Sequence, residues 1–251
     1  MSDRSPDPGS APVRARDRVR AAMTEEILEA GRRELAEQGA AALSLRAVAR
    51  RLGMVPSALY RYFPSRDSLL TALIVEAYDE LGAVADAADR AAQQDRPLQR
   101  WLSLCAAVRA WGSAHPRRWA LLYGSPVPGY AAPDVTVESA SAVPRVLARI
   151  VAASAAGPDG VVTPRPGPTG PGPDPVLPPP PAGLDRILAP LRDALLPGLP
   201  AETLVAALMA WTSLVGTVSL ELFGHYEGGT TDFGAVFTYS MEVAGRLAGL
   251  R

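Results

Sequence analysis

The stretch SLRAVARRLGMVPSALYRYFPSRDSLL, residues 44–70, constrains this chain more than any other. Its punctuation fits only short helices. Ser44 is a natural N-cap, because its hydroxyl can accept from an orphan amide of the first turn. Leu45, Val48, Ala49 and Leu52 then recur on one helical face. Gly53 ends that helix. Pro56 suits the first turn of another, where its missing N–H costs nothing. This second helix must stop before Pro64, whose ring disfavours helical backbone in the preceding residue. Ser65 caps a further helix, with Asp67 favourable at the positive end of its dipole. Leu69, Leu70, Leu73, Ile74, Ala77 and Leu81 form the apolar stripe of that helix. Two short helices about a glycine turn are the geometry of a helix-turn-helix, whose second helix lies in the DNA major groove.

The surrounding pattern is helical as well. Residues 1–17 are rich in Pro, Ser and Asp and read as a flexible tail. From residue 16 to 38, Met23, Ile27, Gly31 and Leu35 recur every four positions, and Gly39 follows as a left-handed stop. Further helices are expected over 97–114, 134–156, 184–196, 202–223 and 232–248, the last capped by Asp232, with a turn region at 124–133. Between residues 157 and 183, 11 of 27 positions are Pro and 6 are Gly, so this stretch reads as a disordered linker. No alternating strand pattern persists for five residues, and the expected class is all-α. The division expected is a tail at 1–17, a helix-turn-helix domain at 18–80 and a second helical domain at 81–251.

Several functions are excluded on chemistry. The single Cys105 rules out an internal disulfide framework and a cysteine-based zinc module; it reads as a small buried hydrophobe. Only two His occur, and HExxH, GxSxG, GxGxxG and Walker A spacings are all missing, so no enzyme, cofactor or metal is expected. With no run of about 18 apolar residues and no apolar leader, neither a membrane span nor secretion is expected, and the protein is placed in the cytoplasm. The net charge of −1 conceals a split. Residues 12–66 hold eleven Arg against six acids, a local +5, while residues 67–251 carry −5. All 25 basic residues are Arg, so any phosphate contact here is an Arg contact. The positive charge sits on the segment expected to meet DNA.

Over residues 27–73, ILEAGRRELAEQGAAALSLRAVARRLGMVPSALYRYFPSRDSLLTAL, and most specifically in LYRYFPSRDSLL, the chain resembles the tetracycline-repressor (TetR) family of bacterial transcriptional regulators. The resemblance implies that Val55, Pro56, Ser57 and Ala58 stand where the family makes base or phosphate contacts. Val55 and Pro56 have no side-chain donor, so contact there would be apolar, for example to thymine methyls. Arg61 could be bidentate to guanine or could hold a phosphate. Tyr60 and Tyr62 match positions touching backbone or bases, although Tyr60 could equally be half core. Arg66 occupies a position the family usually gives to Lys and, with Arg46, is a phosphate candidate. Arg14, Arg16, Arg18 and Arg20 could reach a minor groove or form a solvated tail.

Farther on, WGSAHPRRWALLYGSPVPGY and WTSLVGTVSLELFGHY resemble the TetR-type C-terminal ligand-binding domain sometimes called WHG. Aromatic walls with a few polar anchors are how small-molecule sites are built. Candidate lining residues are Trp101, Cys105, Arg109, Trp111, His115, Trp119, Tyr123 and Tyr130, with ordinary core as the alternative for each Trp. The resemblance implies a small-molecule effector, of apolar or aromatic character, and a homodimer. The segment 202–223 is apolar almost all round, more than a monomer buries. Leu208, Trp211, Val215, Val218, Leu222, Phe233 and Phe237 are therefore candidates for the dimer interface. The expected function is a homodimeric repressor that an effector releases from a palindromic double-stranded operator. The alternative is a DNA-binding regulator or activator without a ligand.

Overall fold

A computed structural model describes residues 10–156 and 180–251, with side chains from residue 16. The expected linker thus lies, from 157 to 179, outside the described residues, as does the tail up to residue 9. The described residues are helical and contain no strand. In order they form α1 (Ser10–Gln38), a 3-10 turn (Ala40–Ala42), α2 (Leu45–Arg51), α3 (Pro56–Leu59), α4 (Arg66–Ala91), α5 (Pro97–Ala114), α6 (Pro116–Tyr123), α7 (Val135–Ala140), α8 (Ala142–Ala155), α9 (Leu184–Leu195), α10 (Ala201–Leu222) and α11 (Phe233–Leu247). Two compact units result. The smaller holds residues up to Glu76 together with residues 126–133; the larger holds 77–125 and 134–251.

In the smaller unit the local signals act as expected. The Ser44 hydroxyl accepts from the Ala47 amide at 3.2 Å, and Pro56 opens α3. Gly39 and Gly53 adopt φ of 77° and 65°, the left-handed region that a Cβ penalises. At the start of α4, Ser65 Oγ accepts from the Ser68 amide (3.0 Å) while Ser68 Oγ accepts from the Ser65 amide (3.1 Å). That reciprocal pair satisfies two amides at once. Ile27, Leu35, Leu43, Leu45, Val48, Leu59, Phe63, Leu69, Leu70 and Leu73 close the core beneath the helix-turn-helix. An arginine network fastens its outside: Arg32 donates to Glu25, Glu29 and Glu76, and Arg51 to Glu34 and Glu37.

Four boundaries differ from the sequence expectation. First, α1 begins at Ser10, inside the supposed tail at 1–17, because no breaker separates residues 10–15 from the periodic segment. Second, α6 occupies 116–123, a helix the expectation lacked; Pro116 ends α5 and opens α6 in one step. Third, the helix expected over 134–156 is two, since Pro144 has no amide to bond back to Ala140 and its ring crowds that carbonyl. Fourth, residues 126–133 belong to the smaller unit, where Tyr130 Oη lies 3.0 Å from Thr71 Oγ1.

The larger unit has its own core, built on Trp101, Leu104, Val108, Trp119, Ile150, Leu204, Leu214, Val218, Phe237 and Met241. Two of its anchors are polar. Trp101 Nε1 donates to the Met241 carbonyl at 2.7 Å. Asp89, buried, accepts from Arg100 Nε and Nη2 at 2.7 and 3.1 Å and from Arg149 Nη2 at 2.6 Å. Burial alone would raise the Asp89 pKa, but the bonds from Arg100 and Arg149 hold it below the ordinary range. Helix α10 is long and apolar enough to cross a membrane by length and composition, with a mean hydropathy of 1.7, which corrects the expectation that no segment would be. Its apolar positions are divided: Leu204, Ala207, Ala210, Leu214 and Val218 face the core, while Met209, Leu220 and Phe223 are exposed.

Candidate functional site

The surface of the helix-turn-helix follows from which residues its core claims. Leu59 and Phe63 point inward and are buried. Helix α3 and the turn behind it therefore present Val55, Pro56, Ser57, Tyr60 and Arg61 outward, and Ala58 and Tyr62 are half-buried. Val55 is 66% exposed. On α2, the buried Leu45, Val48 and Ala49 leave Arg46 on the solvent face, together with Arg50 one turn later. Arg50 was absent from the sequence candidates, although its i, i+4 spacing from Arg46 was the signal that could have found it. Arg46, Arg50 and Arg61 carry no ion pair to another described residue. The acids of the unit are instead drawn to Arg32, Arg33 and Arg51, so positive charge is left over on the helix-turn-helix face.

Two arginines make contacts that the sequence did not foresee. Arg66, a phosphate candidate, is turned inward onto backbone: its Nε donates to the Leu43 carbonyl at 3.0 Å and its Nη2 to Ala40 at 2.9 Å and Ala41 at 3.4 Å. It holds the 3-10 turn against the start of α4. A guanidinium has five N–H groups in a planar fork, so one side chain can reach several carbonyls of this turn at once. Arg20 lies 5.4 Å above the Tyr62 ring and donates to the Arg61 carbonyl at 3.3 Å, so it braces the exit of α3 and is not a solvated tail.

The aromatic candidates are distributed over both units. Tyr130 is in the smaller unit, where its hydroxyl meets Thr71 Oγ1. Trp101 and Trp119 are fully buried core residues, and Cys105 lies beneath a surface depression of about 520 Å³ between α5 and α11. Burial pushes the Cys105 thiol pKa up, as for an inert hydrophobe. Arg109 on the same depression is bidentate to Glu221 at 2.8 and 2.5 Å and stacks over Phe233 and Phe237. Trp111 Nε1 donates to Glu80 at 2.9 Å, Arg118 pairs with Glu80 at 2.6 Å, and the His115 ring lies 5.1 Å from that of Trp111. Tyr123 stands in a separate ring cluster with Tyr78, Trp119 and Trp211.

The interface candidates are also corrected. Val218 is 0% and Phe237 3% exposed, so both are core and neither can meet a partner. Leu208, Trp211, Val215, Leu222 and Phe233 pack partly against that core. In this region the exposed large apolar residues are Met209 and Leu220 on α10, Phe223 at its C-cap, and Val236, Tyr239 and Val243 on α11.

A three-helix reader with an uncompensated basic face, followed by a separate all-α unit, defines a helix-turn-helix DNA-binding regulator. Residues 27–73 match the description "bacterial regulatory proteins, tetR family", and residues 101–244 match "tetracyclin repressor-like, C-terminal domain". The chain is 42% identical over 231 residues to the HTH-type transcriptional regulators Rv1816 of Mycobacterium tuberculosis (strain ATCC 25618 / H37Rv) and Mb1846 of Mycobacterium bovis, covering 89% of this chain and 89% of each of theirs. The crystal structure of the regulatory protein SCO4313 is similar at 32% identity and a TM-score of 0.70, over 91% of this chain and 97% of that one. The protein belongs to the TetR family of bacterial transcriptional regulators.

Proposed function

We propose that this regulator is a homodimeric repressor, acting in the cytoplasm, that leaves a palindromic operator when a small apolar or aromatic effector binds its larger unit. The observation that carries the DNA reading is the exposed set Val55, Pro56, Ser57, Tyr60 and Arg61 beside Arg46 and Arg50. Val55 and Pro56 offer a thymine methyl an apolar surface, and Arg61 offers guanine a bidentate donor. Arg46 and Arg50 hold phosphates and so fix the register without specifying bases.

The dimer reading rests on the exposed apolar positions of α10 and α11, which pack against each other in the same unit. Met209, Gly216, Leu220 and Phe223 share one face of α10 by their spacing, and Val236, Tyr239 and Val243 one face of α11. Apart from its own stretch of helix, nothing lies within 4 Å of a Cβ built at Gly216, so a second copy has room to approach closely there. An interface of the same patch on both copies has twofold symmetry, and a twofold reader selects an inverted repeat with half-sites one helical turn or a multiple apart. Binding-site selection from random duplexes followed by footprinting is expected to return that repeat, with affinity falling steeply as salt rises. A selected site without inverted symmetry would overturn the proposal. Sedimentation of a Leu220→Glu, Phe223→Glu variant is expected to show folded monomers.

A further inference from the structure

Tyr123 ends α6 with its side chain turned into the larger unit. Its ring centroid lies 4.7 Å from that of Trp119 on the same helix, 6.0 Å from Tyr78 on α4 and 6.0 Å from Trp211 on α10. Two of these neighbours have partners for their polar atoms. Trp119 Nε1 donates to Ser219 Oγ at 3.0 Å, and Tyr78 Oη to the Leu122 carbonyl at 3.4 Å. Tyr123 Oη has none, although it is fully enclosed. Buried hydroxyls in folded proteins are nearly always bonded, and one left without a partner carries a standing cost.

We infer that the Tyr123 hydroxyl is the polar anchor of the effector site, and that the effector is a neutral aromatic or alicyclic molecule with one hydrogen-bond acceptor, seated among Tyr78, Trp119 and Trp211. This rests on the reading that an effector binds the larger unit. The walls set the ligand's body: the ring separations are those of offset and edge-on aromatic packing, which a further ring can join. They also set its charge. Three aromatic rings and a phenol supply no counter-charge, so an ionic ligand would leave water unpaired among them. Burial, with a smaller contribution from Tyr78, pushes the Tyr123 pKa up, so the hydroxyl keeps its proton and serves as donor.

The test uses the full-length protein and a matched pair of probes, 1-tetralone and tetralin, which differ by one carbonyl. Calorimetry is expected to show tetralone binding about tenfold more tightly than tetralin, the worth of one hydrogen bond. In Tyr123→Phe that preference is expected to vanish while the melting temperature holds or rises, since no bond is lost and an unsatisfied group is removed. Retention of the preference in Tyr123→Phe would overturn the inference, as would a wild-type protein that binds neither probe. Binding of tetralone that depends on Tyr123 but leaves operator affinity unchanged would support the anchor and count against effector-controlled release.

Discussion

Arg66 separates a structural from a DNA-contacting role in one substitution. Replacing it with Ala removes two well-formed bonds, to the Leu43 and Ala40 carbonyls at 3.0 and 2.9 Å. Hydrogen bonds from a charged donor are worth about 1.5–3 kcal/mol each. The guanidinium is part-exposed, and the Ala40 carbonyl regains water when it leaves, whereas Leu43 is buried and regains little. Roughly one full bond is therefore lost, about 1.5–3 kcal/mol. For a chain of this length that corresponds to about 3–12 °C in melting temperature. Circular dichroism melts at constant salt measure it directly. Arg66→Lys sharpens the test, because an ammonium is a point charge that satisfies a phosphate but cannot span two carbonyls as the fork does. Both variants are expected to melt earlier, with the slope of operator affinity against salt unchanged. An unaltered melting temperature with the slope reduced by about one would refute the tether and make Arg66 a phosphate ligand.

Three further outcomes follow from single contacts. Ser44→Ala loses the cap on the Ala47 amide and is expected to cost about 1 kcal/mol in denaturant titration, with α2 fraying at its start. Gly245→Ala would place a Cβ 2.5 Å from Trp101 Cδ1 and 2.9 Å from Leu98 Cδ1; Trp101 is held by its bond to Met241, so overpacking of about 1–3 kcal/mol is expected by the same titration. Asp89→Asn leaves buried Arg100 without its counter-charge and is expected to destabilise by about 3–5 kcal/mol. Because the folded-state pKa of Asp89 is lowered, its contribution is fully present above the ordinary aspartate value of 3.8 and fades as pH falls through the folded value. Melting temperatures of wild type and Asp89→Asn should therefore converge on acidification below pH 4.

What could be read from the chain was what a few neighbouring residues settle among themselves. The Ser44 and Asp232 caps, the proline at the head of α3 and the left-handed glycines at 39 and 53 are satisfied within about four residues, so their effect is present in any context. The burial of Leu59 is of the same local kind, because a helix this short has only one apolar side to bury. The break between α7 and α8 was equally local, and Pro144 was its overlooked signal. Local spacing also carried the family resemblance, which depends on residue types at fixed intervals.

Three-dimensional packing decided the rest. Spacing cannot tell inside from outside when a helix is apolar all round, and so Val218 and Phe237 on α10 and α11 had to be moved from the surface to the core, leaving Leu220 and Phe223 outside. Nor can it choose among an arginine's partners. Arg66 finds carbonyls 23 and 26 residues earlier, and Arg32 a carboxylate 44 residues later, distances over which sequence carries no pairing information. Tyr130 went to the smaller unit through one bond to Thr71 across 59 residues. The chain by itself determined its short helices, their caps and the basic character of its reader. Only the folded protein determined which arginines remain free to meet DNA, because that depends on which acids the fold brings to the others.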